Sequence, residues 1–521
     1  MDEDCKNPFF LNNIPISPKI ILSNNMSKNL EKYLHQQMDN NAGKTHSLKK
    51  TKIVATVGPA CDTYDKLLEL VKAGVNVFRL NFSHGTHEDK KAVIENIRKI
   101  IRYEPYNIAI LGDLQGPKLR VGDLEDGKVL LQPGNEIIFT TQKMVGNAQK
   151  VYVSYPNLAK DVKPGERIFL DDGKMEVKVV EILNDTEVKM SVTLGGLLLP
   201  KKGVNLPDSA LSMPSLTEKD ITDLEFIIEQ KLDWVALSFV RKTEDITDLK
   251  SRIEAKKSKI KTIAKIEMPE ALKNLRDIIV ESDGIMVARG DLGVEVPIEQ
   301  VPIIQKDIIR KCMHRAKPVI VATQMMESML DRTKPNRSEV SDVANAVLEG
   351  ADAVMLSGET ATGQYPVLVV ETMTKIIQQV ESTVYEYDKD DILTPQPHSP
   401  SFLSDAICYN AANLAKDAHA HALIGMTQSG YTAFMLSSYR PKTPLFIFSK
   451  EKSLINQLNL SWGVRAFFYD EEESLDDIFQ DQLNILKERG YIKKGDIVVN
   501  TGSTPVALHL PTNMIKITRV D

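Results

Sequence analysis

Residues 234–240 read WVALSFV, 261–267 KTIAKIE, 284–290 GIMVARG, 318–324 PVIVATQ and 353–358 AVMLSG. Each is a short run rich in Val, Ile and Ala with little alternation, the pattern of a strand buried on both faces. Helical patterns fill the spaces between them, at 243–257 and 297–316. The same rhythm starts upstream with TKIVATV (51–57), NVFRLNFS (76–83) and NIAILGDL (107–114), with a helical pattern over 86–103. Eight strands alternating with helices predict an α/β fold, a (β/α)8 TIM barrel rather than an open sheet.

The barrel pattern breaks between residues 118 and 214. Gly-Asp, Asp-Gly and Pro-Gly turns recur there (Gly122-Asp123, Asp126-Gly127, Pro133-Gly134, Pro164-Gly165, Asp172-Gly173), separated by short alternating segments such as Ile137 to Thr141 and Met175 to Val180. This predicts a small inserted β domain, a β-barrel lid hung from the loop after strand three. Past QPHSP (396–400) a second α/β domain is expected, with strands near 422–426, 445–449 and 496–500. The expected division is an N-terminal extension (1–45), a discontinuous barrel (46–117 and 215–388), the lid (118–214) and a C-terminal α/β domain (389–521). Ser27 to Gln37 is a candidate helix within the extension.

The 521 residues exceed what one core serves, and 42% hydrophobic with 26% charged residues is ordinary for a globular chain. A net charge of −6 with no long basic run gives no reason to expect nucleic acid as a partner. No apolar run approaches a membrane span, and the acidic start (Asp2, Glu3, Asp4) lacks the plan of a signal peptide. Cys5, Cys61, Cys312 and Cys408 share no close spacing, so neither a zinc site nor a redox motif is expected. A cytoplasmic location is the expectation.

Polar residues gather at the C-terminal ends of the strands, where barrel enzymes carry their chemistry. Strand two ends in Arg79, Asn81 and Ser83, strand three in Asp113, strand five in Lys265 and Glu267. Strand six runs into Arg289, Gly290 and Asp291, strand seven ends in Thr323 and Gln324, and strand eight in Ser357 and Glu359. Glu267 and Asp291 on neighbouring strand ends suit Mg²⁺, which takes one or two carboxylates and fills its other positions with water and substrate oxygens. The alternative is that each pairs with an adjacent cation, Lys265 or Arg289. Arg79, Arg120, Lys202 and Lys265 come from four separated segments, and such cations around a metal are what phosphoryl transfer asks of a protein.

The segments FRLNFSHGTHE (78–88), GDLQGPKLRVG (112–122), KKGVNLP (201–207), AKIE (264–267), IMVARGDLGVEVP (285–297), ATQMMESM (322–329) and PNRSEVSDVANAVLEGADAVMLSGETATGQYP (335–366) closely resemble pyruvate kinases. The resemblance implies phosphoryl transfer from phosphoenolpyruvate to ADP, giving pyruvate and ATP, and assembly as a homotetramer. It implies that Glu267 and Asp291 hold Mg²⁺ (or Mn²⁺) and that Lys265 stabilises the transferring group. It also implies that Arg79 contacts phosphate and that Gly290, Asp291 and Thr323 bind substrate, Thr323 near the carbon that is protonated. Asn81, His84, Arg120 and Lys202 are implied on the nucleotide side. Another phosphoenolpyruvate or pyruvate barrel, an aldolase or lyase, would lack the inserted domain. A non-catalytic relative would have lost a ligand, and none of Arg79, Lys265, Glu267, Asp291 or Thr323 is lost.

Two segments depart from the common family pattern. DLQGPKLRVG stands where many K⁺-requiring members read like DTKGPEIRTG, and it resembles the K⁺-independent branch. Lys118 would supply the charge that K⁺ brings, so K⁺ is not expected to be required, although Asn81, Ser83, Asp113 and the Leu114 carbonyl remain as oxygen ligands for a monovalent cation. The loop TQSGYTA (427–433) resembles an effector-phosphate loop, with Thr427, Ser429, Gly430 and Thr432 able to cradle phosphate. Gln428 and Tyr431 stand where members activated by fructose-1,6-bisphosphate often carry cations, and TGSTPVALHL (501–510) lacks the Trp and Arg often seen there. A different sugar phosphate, or no effector, is the expectation.

Overall fold

A computed structural model describes residues 49–383, 394–471, 474–505 and 510–521. The expected Ser27–Gln37 helix and the boundary expected at 388/389 lie outside the described residues.

Eight parallel strands close into a barrel: β1 (Lys52–Thr56), β2 (Val77–Asn81), β3 (Ala109–Asp113), β4 (Trp234–Leu237), β5 (Lys261–Ile266), β6 (Gly284–Ala288), β7 (Val319–Ala322) and β8 (Ala353–Leu356). β1 pairs with both β2 and β8, which closes the ring. Residues alternate between the two faces of each strand. One parity packs outward against the helices, as Ile53, Phe78, Ile110, Val235 and Val287 do. The other fills the interior with Val54, Val77, Leu111, Ala236, Ile263, Met286 and Ile320. The helices start where local chemistry allows: Thr86 caps His87–Tyr103 through a reciprocal box with Asp89, and Thr217 caps Glu218–Glu229 with Asp220.

Between β3 and β4 the chain builds the lid. A six-stranded curled sheet runs in the order 204–205, 167–170, 175–184, 187–194, 136–140, 150–152, with a two-stranded pair (129–131 and 196–198) beside it. The lid has its own core, including Phe139, Val151, Tyr155 and Met190. Its two connections to the barrel pair with each other. Arg120 bridges Gly203 antiparallel, and Val204 N donates to Leu119 O at 3.0 Å.

Among the described residues the C-terminal domain has five strands: β9 (Ala422–Met426), β10 (Leu445–Ser449), β11 (Val464–Phe468), β12 (Ile497–Gly502) and β13 (Met514–Arg519), in the order β11-β10-β9-β12-β13 with β13 antiparallel. β11 and β13 go beyond the three strands expected there. The domain meets the barrel at the N-terminal ends of its strands, away from the mouth. Lys52 Nζ donates to Val464 O at 2.7 Å, and Trp234 Nε1 donates to Gln457 O at 3.1 Å.

Candidate active site

The parity that lines the barrel interior continues into its mouth. Two residues beyond Val54 stands Thr56, beyond Val77 stands Arg79, beyond Leu111 stands Asp113, beyond Ala236 stands Ser238, and beyond Ile263 stand Lys265 and then Glu267. An apolar floor therefore gives way to a polar rim on the same inward face.

Asp113 organises that rim. Arg79 Nε donates to Asp113 Oδ2 at 2.6 Å and Arg79 Nη1 to Thr56 Oγ1 at 2.9 Å. Lys265 Nζ lies 3.3 Å from Asp113 Oδ1 and 2.9 Å from Glu267 Oε1, and donates to Ser238 Oγ at 2.7 Å. Asp113 is 1% exposed, as is Glu267, and Lys265 8%. Burial works against the charge on Asp113, but Lys265 and Arg79 outweigh it and hold the carboxyl below its usual range. Burial likewise opposes the Lys265 ammonium, yet Asp113 and Glu267 raise it above an ordinary lysine. Burial pushes the Glu267 carboxyl up; Lys265 opposes this and nearby Asp291 adds to it.

Glu267 accepts from Phe239 N at 2.7 Å through Oε2, while buried Oε1 has no hydrogen-bond partner. The Lys265 contact with Oε1 is thus an ion contact outside hydrogen-bond geometry. Asp113 Oδ1 is in the same position. Of the two pairings open to the carboxylates, Glu267 does meet Lys265, whereas Arg289 pairs with Asp342 at 2.7 Å rather than with Asp291. Among the described residues no group of three or more His, Cys, Asp or Glu could form an all-protein cage. Glu267, whose Oε1 has only the Lys265 ion contact, with the Asp291 carboxylate nearby fits a hard divalent ion that keeps water and substrate oxygens.

Beside this pair, β6 runs into the helix Arg289–Glu295, which carries Gly290 and Asp291. Gly290 N donates to Thr323 Oγ1 at 2.8 Å, and Thr323 Oγ1 donates to Ala322 O at 2.6 Å. A Cβ at Gly290 would stand 3.3 Å from Thr323 Oγ1, so glycine allows this approach. Thr323 and Gln324 both take left-handed backbone, φ 68° and 55°, which is costly for a β-branched residue. Arg289 Nη2 donates to Thr323 O at 2.7 Å and helps hold that turn. Ser357 N and Met326 N both donate to buried Glu359, which serves to tie the β7 and β8 loops together.

The remaining expected residues lie around this centre. Asn81 Oδ1 accepts from Ser83 N at 3.0 Å. His84 is exposed, and its carbonyl accepts from Lys90 Nζ. The Leu114 carbonyl accepts from Ser238 Oγ at 2.8 Å. Arg120 Nη1 donates to Lys201 O at 2.8 Å, and Lys202 Nζ pairs with Asp171 Oδ1 at 2.9 Å. Lys118 lines the cleft between lid and barrel together with Asp172, Arg241 and Asp291.

Known proteins share this sequence pattern and fold. The family model for the pyruvate kinase barrel domain matches residues 48–370, and that for the pyruvate kinase alpha/beta domain matches 405–518. The chain belongs to the pyruvate kinase family. A pyruvate kinase of Geobacillus stearothermophilus is 41% identical over 472 residues, 90% of this chain and 80% of the relative. One of Staphylococcus epidermidis gives the same identity and coverage. The crystal structure of a pyruvate kinase from Cryptosporidium parvum matches with a TM-score of 0.85 at 34% identity, covering 93% of this chain and 99% of that one. Membership in the pyruvate kinase family makes the chain a phosphotransferase.

In the C-terminal domain, Thr427 Oγ1 accepts from Gly430 N at 3.0 Å, Tyr431 N donates to Ser429 Oγ at 3.4 Å, and Thr432 Oγ1 meets Thr512 Oγ1 at 2.6 Å. The four residues share one loop and the start of the helix Tyr431–Ser438. Three residues escaped the reading of the sequence. Ser238, which holds Lys265, lies inside WVALSFV and carries the same signal as Thr323, a hydroxyl at a strand end. Arg241 reaches back to Leu211 O at 2.6 Å and to Met213 O, tying down the chain returning from the lid. Glu295 closes the helix that carries Asp291.

Proposed function

We propose that the barrel mouth transfers the phosphoryl group of phosphoenolpyruvate to ADP, giving pyruvate and ATP. The observation that carries this reading is Lys265: a buried ammonium, held charged by Asp113 and Glu267, beside Arg79 and near Asp291. Arg79 and Lys265 bind the phosphate of phosphoenolpyruvate. Their carboxylate and hydroxyl partners fix both cations before substrate arrives, so little reorganisation is needed as charge spreads over the equatorial oxygens. Arg120 and Lys202 meet the nucleotide phosphates from the lid side, with Asn81 and His84 on the barrel side. Mg²⁺, or Mn²⁺ in its place, held by Glu267 and Asp291 would neutralise charge on substrate oxygens. Thr323 both donates and accepts a hydrogen bond through Oγ1, which suits it to hand a proton, through water, to the substrate's terminal carbon.

K⁺ is not required in this reading. Both Asp113 oxygens already face cations and the Leu114 carbonyl already takes a hydrogen bond, while Lys118 brings a positive charge into the cleft. The homotetramer is supported by apolar residues on the barrel's outer face, where Ile298, Ile303 and Leu348 are 74%, 71% and 49% exposed. A sugar phosphate other than fructose-1,6-bisphosphate is the effector best suited to the 427–432 loop, since its amides and hydroxyls are polar but carry no cation. Expression in the cytoplasm accords with this substrate pair.

The test is pyruvate formation coupled to lactate dehydrogenase. NADH consumption that requires phosphoenolpyruvate, ADP, Mg²⁺ and the chain supports the reading. Consumption independent of ADP, or none, overturns it.

A further inference from the structure

Glu295 ends the helix that begins at Arg289 and carries Gly290 and Asp291, yet it faces the lid. Asn205, on the lid strand that returns to the barrel, donates through Nδ2 to Glu295 Oε1 at 2.7 Å. Among the described residues this is the side-chain hydrogen bond that joins the lid to that helix. The neighbouring lid turn also lies against it: a Cβ at Gly173 would stand 3.8 Å from Val294 Cγ1. Glu295 is 7% exposed, and its Oε2 has no partner. Burial, with Glu270, Asp291 and Glu267 nearby, pushes its carboxyl up to about 7, against the pull of the Asn205 bond.

Opening the lid breaks the Asn205 bond and hands the Glu295 carboxyl to water, so the net gain of that protein–protein bond over solvation favours the closed lid. Asn205 in turn follows directly on Gly203 and Val204, which pair with Arg120 and Leu119 across the two lid connections. The bond therefore links the hinge of the lid to the helix of Asp291 in a single step.

We infer that Glu295 is a positioning residue, a latch through Asn205 that holds the lid closed over the barrel mouth. It is not among the residues assigned to substrate or metal. The inference rests on the proposed function only for its kinetic consequence, that the nucleotide side is assembled when the lid is latched.

The test is hydrogen–deuterium exchange of the full chain without substrate or metal, comparing wild type, Asn205→Ala, Glu295→Ala, Glu295→Gln and the double alanine variant. Losing one such bond is expected to speed exchange in segments 117–121 and 201–206 about three- to tenfold. The double variant should exchange no faster than the faster single, and Glu295→Gln, which keeps an acceptor oxygen, should stay within about twofold of wild type. Wild-type exchange in Asn205→Ala, or effects that multiply in the double variant, overturns the latch. In turnover the alanine variants should raise KM for ADP by the same factor and leave KM for phosphoenolpyruvate within about twofold. Equal changes in both KM values overturn the link to the nucleotide side. A chain that shows the exchange pattern but no turnover keeps the latch and refutes the proposed function, so the two fail separately.

Discussion

Lys265 Nζ lies 2.9 Å from Glu267 Oε1, with Lys265 on the inward face of β5 and Glu267 just past the end of that strand. The carboxylate that would hold a metal thus also keeps the phosphoryl-binding ammonium charged. Replacing Lys265 by Met removes the cation and leaves Glu267 and one Asp113 oxygen buried without a counter-charge. Turnover should fall by about 10²–10³-fold or more, and the thermal midpoint should drop as well. A coupled assay and a melting curve on the same preparation check both. Wild-type turnover in this variant would remove Lys265 from the chemistry.

The Thr323 hydroxyl is the proposed end of the proton path. Thr323→Val keeps the shape but loses both the acceptor for Gly290 N and the hydroxyl proton, which rests on Ala322 O. Solvent deuterium incorporation into pyruvate should slow about 10²-fold, while Thr323→Ser should retain most of it. Unchanged incorporation in the valine variant would place the proton donor elsewhere.

Lys118 is expected to stand in for a monovalent cation. The wild-type chain should reach near-full turnover in buffer free of K⁺ and Na⁺. Lys118→Ala should lose activity there and regain part of it when K⁺ is added. Strong activation of the wild type by K⁺ would contradict the assignment.

At the far end of the barrel, Lys52 is buried against the C-terminal domain. Burial first, and then Arg465, lowers its pKa to about 7, with Glu381 and Asp352 opposing. In the unfolded chain it titrates near the ordinary value of about 10.4. Between these two values the unfolded state binds the extra proton, so this residue makes stability rise with pH over that window. The melting temperature of the wild type relative to Lys52→Met should climb from pH 7 to pH 9. A difference that is flat or falling across that range would show that Lys52 stays charged in the folded protein.

All eight barrel strands were legible because a strand buried on both faces must be apolar throughout, and a charged residue at its end then stands out. β13 escaped for the opposite reason. It is an antiparallel edge strand, MIKITR, with much of its length at the surface, and its composition resembles a loop. β11 (VRAFF) is interrupted by Arg465 and sits at the other edge of the same sheet. The left-handed backbone at Thr323 and Gln324 had no sequence signal, since a threonine argues against that conformation and only the surrounding fold imposes it. The Asn205–Glu295 bond was equally hidden. Its partners are 90 residues apart, and neither residue type is unusual where it stands.

In the proposed reaction the phosphoryl group passes directly between two substrates bound at one barrel mouth. Phosphorus NMR of a single sample containing the chain, Mg²⁺, phosphoenolpyruvate and ADP reads it without coupling enzymes. The phosphoenolpyruvate resonance should fall as the γ-phosphate of ATP grows in equal amount, with no free phosphate released and no change in the Lys265→Met sample. Inorganic phosphate appearing in place of ATP, or equal conversion by Lys265→Met, would contradict it.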